Sequence, residues 1–389
     1  MKKIIIRTST IPDSLNVLLK GQLNFLNNQK EFEIIAVSGK GNSLEEVSKR
    51  ERVKIIAVDI KREISVLNDL ISLFKLWVLF RTEKPIMVHS ITPKAGLLSM
   101  LAANFANVPL RLHTFTGLVF PSKTGFLKKI LILMDKILCL CATNVYPEGQ
   151  GVKADLITYK ITSKPLKVIA NGNINGIDTD YFNKSLIHFN LLADLKIKLK
   201  IKKTDFVFIF VGRLVKDKGI NELIEAFVKL QNLDVKLLLV GDYEHELDPL
   251  LESTLNEISN NSNIISVGFQ KDVRPYFAIS NCLVFPSYRE GFPNVVMQAG
   301  AMELPSIVTD INGCNEIIEE GINGTIIPVK DPKSLFESML KIVNNESWRN
   351  QLISNSRYKI VSRYEQKLVW EAILTEYKKL LIEKKIKNV

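Results

Sequence analysis

The clearest indication of the fold is the stretch Phe208-Ile-Phe-Val-Gly-Arg-Leu-Val-Lys-Asp-Lys-Gly219. Its apolar run ends at Gly212, and Arg213 and Lys218 follow. Fully apolar runs are typical of strands that are covered on both faces of a parallel sheet. Ligands of open α/β sheets bind at the carboxyl ends of the strands. Arginine can hold two phosphate oxygens and lysine adds a point charge, so this placement suits a diphosphate. A solvated charged turn is the alternative, and the stretch contains neither G-x-G-x-x-G nor a Walker sequence.

A second stretch with candidate site residues covers residues 284–302. A buried strand is expected to end at Pro286, and a polar loop with Glu290 follows it. Pro293 stands where a proline opens a helix, and the free N–H groups at a helix start form a seat for phosphate. Glu290 can bond sugar hydroxyls at this place, or its carboxylate can simply satisfy the positive end of the helix dipole.

Short apolar runs alternate with longer amphipathic stretches throughout the chain. This alternation predicts parallel sheets with helices on both faces. The pattern restarts after the turn-rich segment Ala170–Asp180, and 389 residues are too many for one ordinary domain. We therefore predict two α/β domains, residues 1–175 and 176–365. The last predicted strand of the first domain is Lys167–Ala170, and an amphipathic helix, Gln366–Lys387, ends the chain.

Charge is distributed unevenly along the sequence. The formal net charge is +11, and residues 1–180 alone carry 25 Lys and Arg against 15 Asp and Glu. A basic half suits nucleic acid, an anionic membrane or phosphorylated substrates, and it also suits plain solubility. Four cysteines do not indicate a disulfide scaffold, and no run reaches the roughly 18 apolar residues of a membrane span. We expect a cytoplasmic protein.

Together, these stretches resemble the donor domain of glycosyltransferase family 4, whose members are retaining enzymes of the GT-B fold. The resemblance covers about residues 200–380. The family pattern has an Arg…Lys pair after the first strand of the second domain and then S-x-x-E-G-x-P, here residues 287–293. A proline-led strand, here Leu304–Asp310, and the segment Gly268–Val273 also fit. One departure is Gln298, which replaces the second glutamate of the family's E-x(7)-E motif.

The resemblance implies a set of site residues. The catalytic side chains would be His113, Arg213, Lys218 and Glu290. The donor would be bound by Gly212, Phe269, Gln270, Gly291, Phe292, Pro293, Asn294, Val295 and Gln298. The acceptor would contact Ser9, Thr10, His89 and Lys94. Ser9 and Thr10 would supply hydroxyls or amides where many members have a glycine-rich loop, and a lone strand-end histidine such as His113 is otherwise more often structural.

The resemblance also implies an architecture and a reaction. Two Rossmann-like domains would face each other across a cleft, with residues 366–389 crossing back onto the acceptor-binding N-terminal domain. A hexose or N-acetylhexosamine would pass, with retention, from a nucleotide-diphosphate sugar (UDP first, GDP next) to a polyprenyl-diphosphate-linked saccharide of bacterial surface polysaccharide. Arg213 and Lys218 would stabilise the charge that develops on the leaving β-phosphate, so no metal or other cofactor is expected.

Other interpretations compete with parts of this picture. Asp178-Thr-Asp180 is a D-x-D sequence, which binds a divalent cation in transferases of another fold, but its place in the linker favours a local turn or cap. A non-hydrolysing sugar-nucleotide 2-epimerase would share the predicted fold. An inactive sugar-nucleotide-binding partner protein is the third possibility, and Gln298 is the residue that points to it.

Basic residues beside apolar helix segments bear on whether the protein binds a membrane. Lys75 and Arg81 flank Leu76–Phe80, and lysines surround Ile130–Met134. This pattern suits an anionic membrane surface, although ordinary amphipathic helices also produce it. We expect a peripheral enzyme on the cytoplasmic face of the inner membrane and no nucleic-acid partner.

Overall fold

Two parallel six-stranded sheets form the framework of the chain, and each belongs to a separate unit. The computed structural model describes residues 2–61, 65–230, 233–244, 246 and 248–385. The first unit consists of Met1–Gly176 with Gln366–Val389, and the second unit is Ile177–Glu365. The division lies one residue beyond the predicted boundary, at the end of the Asn-Gly turns.

The first unit is an alternating strand and helix structure. Its strands are β1 (Lys3–Thr8), β2 (Phe32–Ser38), β3 (Lys54–Ala57), β4 (Met87–Ser90), β5 (Leu110–Phe115) and β6 (Asn144–Pro147). Its first helices are α1 (Pro12–Leu18), α2 (Gln22–Asn27), α3 (Asn42–Glu51), α4 (Val66–Glu83), α5 (Pro93–Phe105), α6 (Gly125–Cys141) and α7 (Gln150–Thr158). The strands are parallel and lie in the order β3-β2-β1-β4-β5-β6. The order reverses between β1 and β4, where the following loops diverge at the carboxyl edge.

Apolar side chains cover both faces of this sheet. Ile5 and Ile34 belong to a buried cluster on one face, and Ile6 and Ile35 belong to a buried cluster on the other. Side chains of α4, α5 and α6 join the second cluster. Because both faces are buried, the strands have continuous apolar sequences rather than alternating ones.

The predicted strand Lys167–Ala170 is wrong. Leu166 makes only an isolated parallel bridge to Val145, and Ala170 has a φ of 51°. A residue in the left-handed region cannot continue a strand, so the chain turns here towards the Asn-Gly segment.

The second unit repeats the same design. Its strands are β7 (Phe206–Val211), β8 (Val235–Val240), β9 (Ile264–Ser266), β10 (Cys282–Phe285), β11 (Ser306–Thr309) and β12 (Gly324–Ile327). Its helices are α8 (Phe189–Lys198), α9 (Ile220–Val228), α10 (Glu252–Asn260), α11 (Arg274–Ala278), α12 (Asn294–Ala301), α13 (Cys314–Ile317), α14 (Pro332–Asn344) and α15 (Glu346–Tyr364). The parallel strands lie in the order β12-β11-β10-β7-β8-β9, so the reversal falls between β7 and β10.

The last helix, α16 (Gln366–Glu383), packs into the core of the first unit. Its residues Val369, Ile373 and Tyr377 are buried there, next to strand and helix residues of the first 176 positions. This is the predicted return of the chain onto its N-terminal half. The predicted end of the helix, Lys387, lies outside the described residues.

Within the part of the chain that the structure describes, we find no helix with both the length and the hydropathy needed to cross a membrane.

Candidate functional site

The carboxyl edge of the second sheet brings two loops together, one after β7 and one after β10. Gly219 ends the first loop with a φ of 70°, and a Cβ at this position would lie 2.1 Å from the carbonyl oxygen of Pro286. The N–H of Tyr288 donates to the carbonyl oxygen of Asp217 at 2.9 Å. Because only glycine tolerates both the conformation and the close approach, residue 219 sets the spacing between the loops.

Lys218 and Glu290 meet where these two loops touch. The Lys218 ammonium contacts Glu290 Oε1, and the two side chains are only 18% and 17% exposed. The Ser287 hydroxyl donates to the same carboxylate oxygen at 2.8 Å. A cation and a hydrogen-bonded carboxylate are therefore fixed side by side at the point where open α/β sheets bind ligands.

Arg213 lies at the same edge but in a different environment. Gly212 extends the end of β7, and its N–H donates to the carbonyl oxygen of Val240 at 2.9 Å. The Arg213 guanidinium pairs with Glu244, and the arginine side chain is 61% exposed. Arg213 and Lys218 are thus each paired with a carboxylate at this edge.

Helix α12 begins directly after the loop that contains Glu290. Pro293 is the N-cap residue rather than the first helical residue, so the helix starts one position later than predicted. Phe292 packs its ring against Tyr364 with centroids 5.5 Å apart, which holds the loop before the helix. Gln298 is half-buried about one turn along the same helix. The positive end of this helix dipole therefore lies beside Lys218 and Glu290.

The loop after β9 adds an exposed aromatic ring to this edge. The Phe269 side chain is 70% exposed, and its N–H donates to Asp242 Oδ1 at 3.0 Å. The Gln270 amide donates to the carbonyl oxygen of Val267 at 2.7 Å. An exposed ring held by its own backbone is available to a flat ligand group.

Ser9 and Thr10 have hydrogen-bond partners within the first unit, and their predicted acceptor contacts stay predictions. Both residues are buried. The Ser9 hydroxyl donates to the carbonyl oxygen of Ile11 at 2.8 Å. The Thr10 N–H donates to Thr92 Oγ1 at 2.8 Å, and the Thr10 hydroxyl accepts from the Ala95 N–H at 3.2 Å. The contacts of Thr10 connect the loop after β1 to the start of α5.

His89 is also enclosed, and its predicted acceptor contact stays a prediction. One ring nitrogen is hydrogen-bonded to the Tyr377 hydroxyl of α16 at 2.5 Å, and the other is hydrogen-bonded to Thr114 Oγ1 at 2.8 Å. Burial, together with the positive charge of Arg7, holds the pKa of His89 well below its usual range. His89 therefore joins α16 to the sheet as a neutral imidazole.

His113 lies inside β5 rather than at its end, and its predicted catalytic role stays a prediction. Its ring is buried between helix α5 and the sheet, and its Nδ1 is hydrogen-bonded to the Ser90 hydroxyl at 2.8 Å. Burial lowers the pKa of His113 to about 3. The partly exposed residue at the carboxyl end of this strand is Thr116, whose hydroxyl donates to the carbonyl oxygen of Ile91 at 2.9 Å.

Two other predicted positions have local partners. The Lys94 ammonium pairs with Asp69 at 2.7 Å, and its contact with an acceptor stays a prediction. Asp178 accepts from the N–H of Tyr181 at 2.8 Å. This is the local turn that the linker position predicts for Asp178.

Comparisons with known proteins decide the family. Residues 193–359 match the family described as "Glycosyl transferases group 1", and residues 11–146 match "Glycosyl transferase 4-like". The Staphylococcus aureus "Capsular polysaccharide biosynthesis glycosyltransferase CapM" is 34% identical over 369 residues, which cover 94% of either chain. The chain belongs to glycosyltransferase family 4. It is a glycosyltransferase of the capsule and O-antigen subgroup.

Two further comparisons concern a curated relative and a solved structure. The Escherichia coli "UDP-Gal:alpha-D-GlcNAc-diphosphoundecaprenol alpha-1,3-galactosyltransferase" is 28% identical over 309 residues, or 78% of each chain. Anabaena HepE, solved in complex with UDP and glucose, is 15% identical and has a TM-score of 0.82, with 97% of this chain and 100% of HepE covered. The second likeness concerns the fold alone, and it confirms the predicted GT-B class.

Sequence reasoning missed two members of the site region in this family 4 enzyme. Glu244 pairs with Arg213 across 31 residues, and no motif marks it. Ser287 is the serine of S-x-x-E-G-x-P, and its spacing from Glu290 in that motif is the signal that could have predicted their hydrogen bond. The predicted roles of Arg213, Lys218 and Glu290 stay predictions, and the structure brings the three to one edge.

Proposed function

We infer that this enzyme transfers a hexose or N-acetylhexosamine from a UDP-sugar to a lipid-linked saccharide, with retention of anomeric configuration, in the synthesis of a bacterial surface polysaccharide. The observation that carries the proposal is the contact of Glu290 with both Lys218 and Ser287 at the reversal point of the second sheet. The names of the similar capsular and undecaprenol-linked transferases support the pathway and the acceptor class.

The charges at this edge support a diphosphate donor. The leaving group would be a nucleoside diphosphate, so negative charge grows on its β-phosphate during transfer. Lys218, Arg213 and the start of α12 are the groups that would meet this charge. Their present partners, Glu290 and Glu244, would release the two cations when the phosphates arrive.

Glu290 would then have a second task. Once Lys218 pairs with phosphate, the Glu290 carboxylate is free to accept hydrogen bonds from sugar hydroxyls. Ser287 still donates to it and keeps its orientation. The sugar would thus be held by a charged acceptor and the diphosphate by the neighbouring cation, with no carboxylate needed as a nucleophile. The leaving phosphate would help to deprotonate the acceptor hydroxyl.

We also propose that the reaction needs no metal ion. The two cations at the edge, Arg213 and Lys218, would balance the two phosphate charges that a divalent ion balances in other transferases. EDTA is expected to leave the rate unchanged. The first unit, which holds most of the net positive charge, would face the anionic cytoplasmic surface of the inner membrane.

The test is a transfer assay with purified enzyme and a short-chain prenyl-diphosphate-linked N-acetylglucosamine. UDP-sugars and GDP-sugars are offered in parallel, with and without EDTA, and the anomeric configuration of the product is read by NMR. Transfer from a UDP-sugar with retention and without metal is expected. Inversion, EDTA sensitivity, or isomerisation of the UDP-sugar without an acceptor would overturn the respective part of the proposal.

A further inference from the structure

The outward face of α4 is apolar along its length. Seven side chains point to solvent, from 36% exposed at Trp77 to 76% exposed at Leu67. The full set is Val66, Leu67, Leu70, Ile71, Phe74, Trp77 and Val78. Soluble proteins seldom expose a contiguous apolar surface of this extent. We call these seven side chains the α4 apolar face.

The α4 apolar face is distinct from the packed side of the same helix. Ser72, Leu76 and Phe80 are buried against the domain core. The helix is therefore anchored by one stripe and shows a second apolar stripe to solvent, with Phe74 and Trp77 in ring contact at 5.7 Å. A helix that is apolar on both sides needs a second apolar environment.

The position of the α4 apolar face relates it to the site. Helices α4, α5 and α6 connect parallel strands of one sheet, so all three start at its carboxyl edge. Exposed apolar residues also begin α6, at Phe126 and Leu127. Both exposed starts thus lie at the edge where α/β sheets bind their ligands.

Positive charge surrounds these apolar residues. Lys75 and Arg81 lie on the exposed side of α4, and Lys123, Lys128 and Lys129 lie at the start of α6. A symmetric dimer through this face would bring identical lysines together, whereas an anionic lipid surface would attract them. Trp and Lys beside exposed Leu and Phe are the composition of helices that lie in the lipid interface.

We propose that the α4 apolar face inserts into the headgroup region of an anionic bilayer and holds the first unit on the membrane. This inference deepens the membrane part of the proposed function and rests on it. Charge attracts the protein to the surface, and the apolar side chains then make the attachment resistant to salt. The edge of the first sheet would thereby be kept near a lipid-linked acceptor.

The test compares vesicle binding of the full-length wild-type enzyme and the double variant Leu67→Glu/Phe74→Glu. Vesicles contain phosphatidylglycerol and phosphatidylcholine, and bound protein is measured by flotation at low and high salt. Loss of two apolar side chains and gain of two charges should lower partitioning more than about tenfold. The matched control is Phe189→Glu, since Phe189 is 81% exposed on the second unit; it should bind as the wild type does.

Trp77 gives a direct readout of insertion, because the chain has only three tryptophans. Fluorescence of the wild type on vesicles should shift to the blue and be quenched by brominated lipid, and Trp77→Phe should lose most of that response. Equal binding of the double variant, or a wild-type fluorescence that vesicles leave unchanged, would overturn the inference. So would a dimer in solution that the double variant dissociates.

The same variants separate this inference from the proposed function. UDP binding of the double variant should equal that of the wild type, because the α4 apolar face lies in the first unit and the predicted donor residues lie in the second. Lost vesicle binding with intact UDP binding is the expected result. Intact vesicle binding in a protein that binds no nucleotide would refute the donor proposal alone.

Discussion

Glu290→Gln should separate nucleotide binding from sugar transfer. In the free enzyme, Glu290 compensates Lys218, and in the proposed donor complex it holds sugar hydroxyls. The variant keeps the size of the side chain and the hydrogen bond to Ser287 but removes the charge. Lys218 is then left without its carboxylate partner and becomes more available to phosphate.

The size of the effect can be derived from the ion pair. Two unit charges about 4 Å apart attract by about 4 kcal/mol at an effective dielectric constant of about 20. Both side chains keep some exposure, at 18% and 17%, and desolvation offsets part of the attraction. We expect a net loss of about 1–2 kcal/mol in the free energy of unfolding without ligand. Removing a charged hydrogen-bond acceptor for the sugar should cost about 2–2.7 kcal/mol in transfer, or about 30–100-fold.

The assay measures three quantities on wild type and variant: the midpoint of urea unfolding, the Kd for UDP, and the transfer rate. The Kd for UDP should stay equal or fall, while the transfer rate drops about 30–100-fold. Glu225→Gln is the control, because it breaks an exposed pair with Lys229 in the same unit and should change stability by less than about 0.5 kcal/mol. A loss of UDP affinity as large as the loss of transfer would show that Glu290 does not act on the sugar alone.

Three further predictions concern packing and pH. Gly96→Ala would place a Cβ 2.5 Å from the ring of His113 and 2.8 Å from Leu138 Cδ1. Urea unfolding should therefore show a loss of about 1–2 kcal/mol despite better helix propensity, and the loss should be smaller in a His113→Ala background. Burial raises the pKa of Asp135 to about 7. The free energy of unfolding should therefore fall as the pH rises from about 4 to about 7. Asp135→Asn should raise the free energy of unfolding by up to about 3–4 kcal/mol at pH 8 but by almost nothing at pH 4. Gly219→Ala should weaken UDP binding more than about tenfold, whereas Gly321→Ala, with a φ of 72° but open space around it, should lose only about 1 kcal/mol of stability and keep UDP affinity.

The sequence predicted the second unit better than the first. Its apolar run ends at Gly212, and its loops carry Arg213, Lys218 and Glu290 at fixed spacings after strands, so parallel topology alone brings them to one edge. These are local signals that need no knowledge of distant contacts. The same holds for the turn at Asp178.

In the first unit, several predicted site residues are enclosed by partners that the sequence does not reveal. His89 is occupied by Tyr377, a partner 288 residues away that only the return of α16 supplies. The sequence predicts His113 at a strand end, but β5 continues to Phe115. A strand boundary that moves by one or two residues decides whether a side chain lies in the core or at the exposed edge of the sheet. Ser9 and Thr10 have the composition of a ligand loop, but the Ser9 hydroxyl donates to the Ile11 carbonyl oxygen and Thr10 is hydrogen-bonded to Thr92. Such contacts depend on tertiary structure and have no local signature.

In the proposed function, the edge between β7 and β10 binds the diphosphate of the donor through Lys218. The most direct measurement is the ratio of the affinities for UDP and UMP, by calorimetry, in the wild type and in Lys218→Met. The β-phosphate should make UDP the tighter ligand in the wild type, and loss of a charged hydrogen bond of about 1.5–3 kcal/mol should reduce the ratio by about 10–100-fold in the variant. An unchanged ratio in Lys218→Met would contradict the claim.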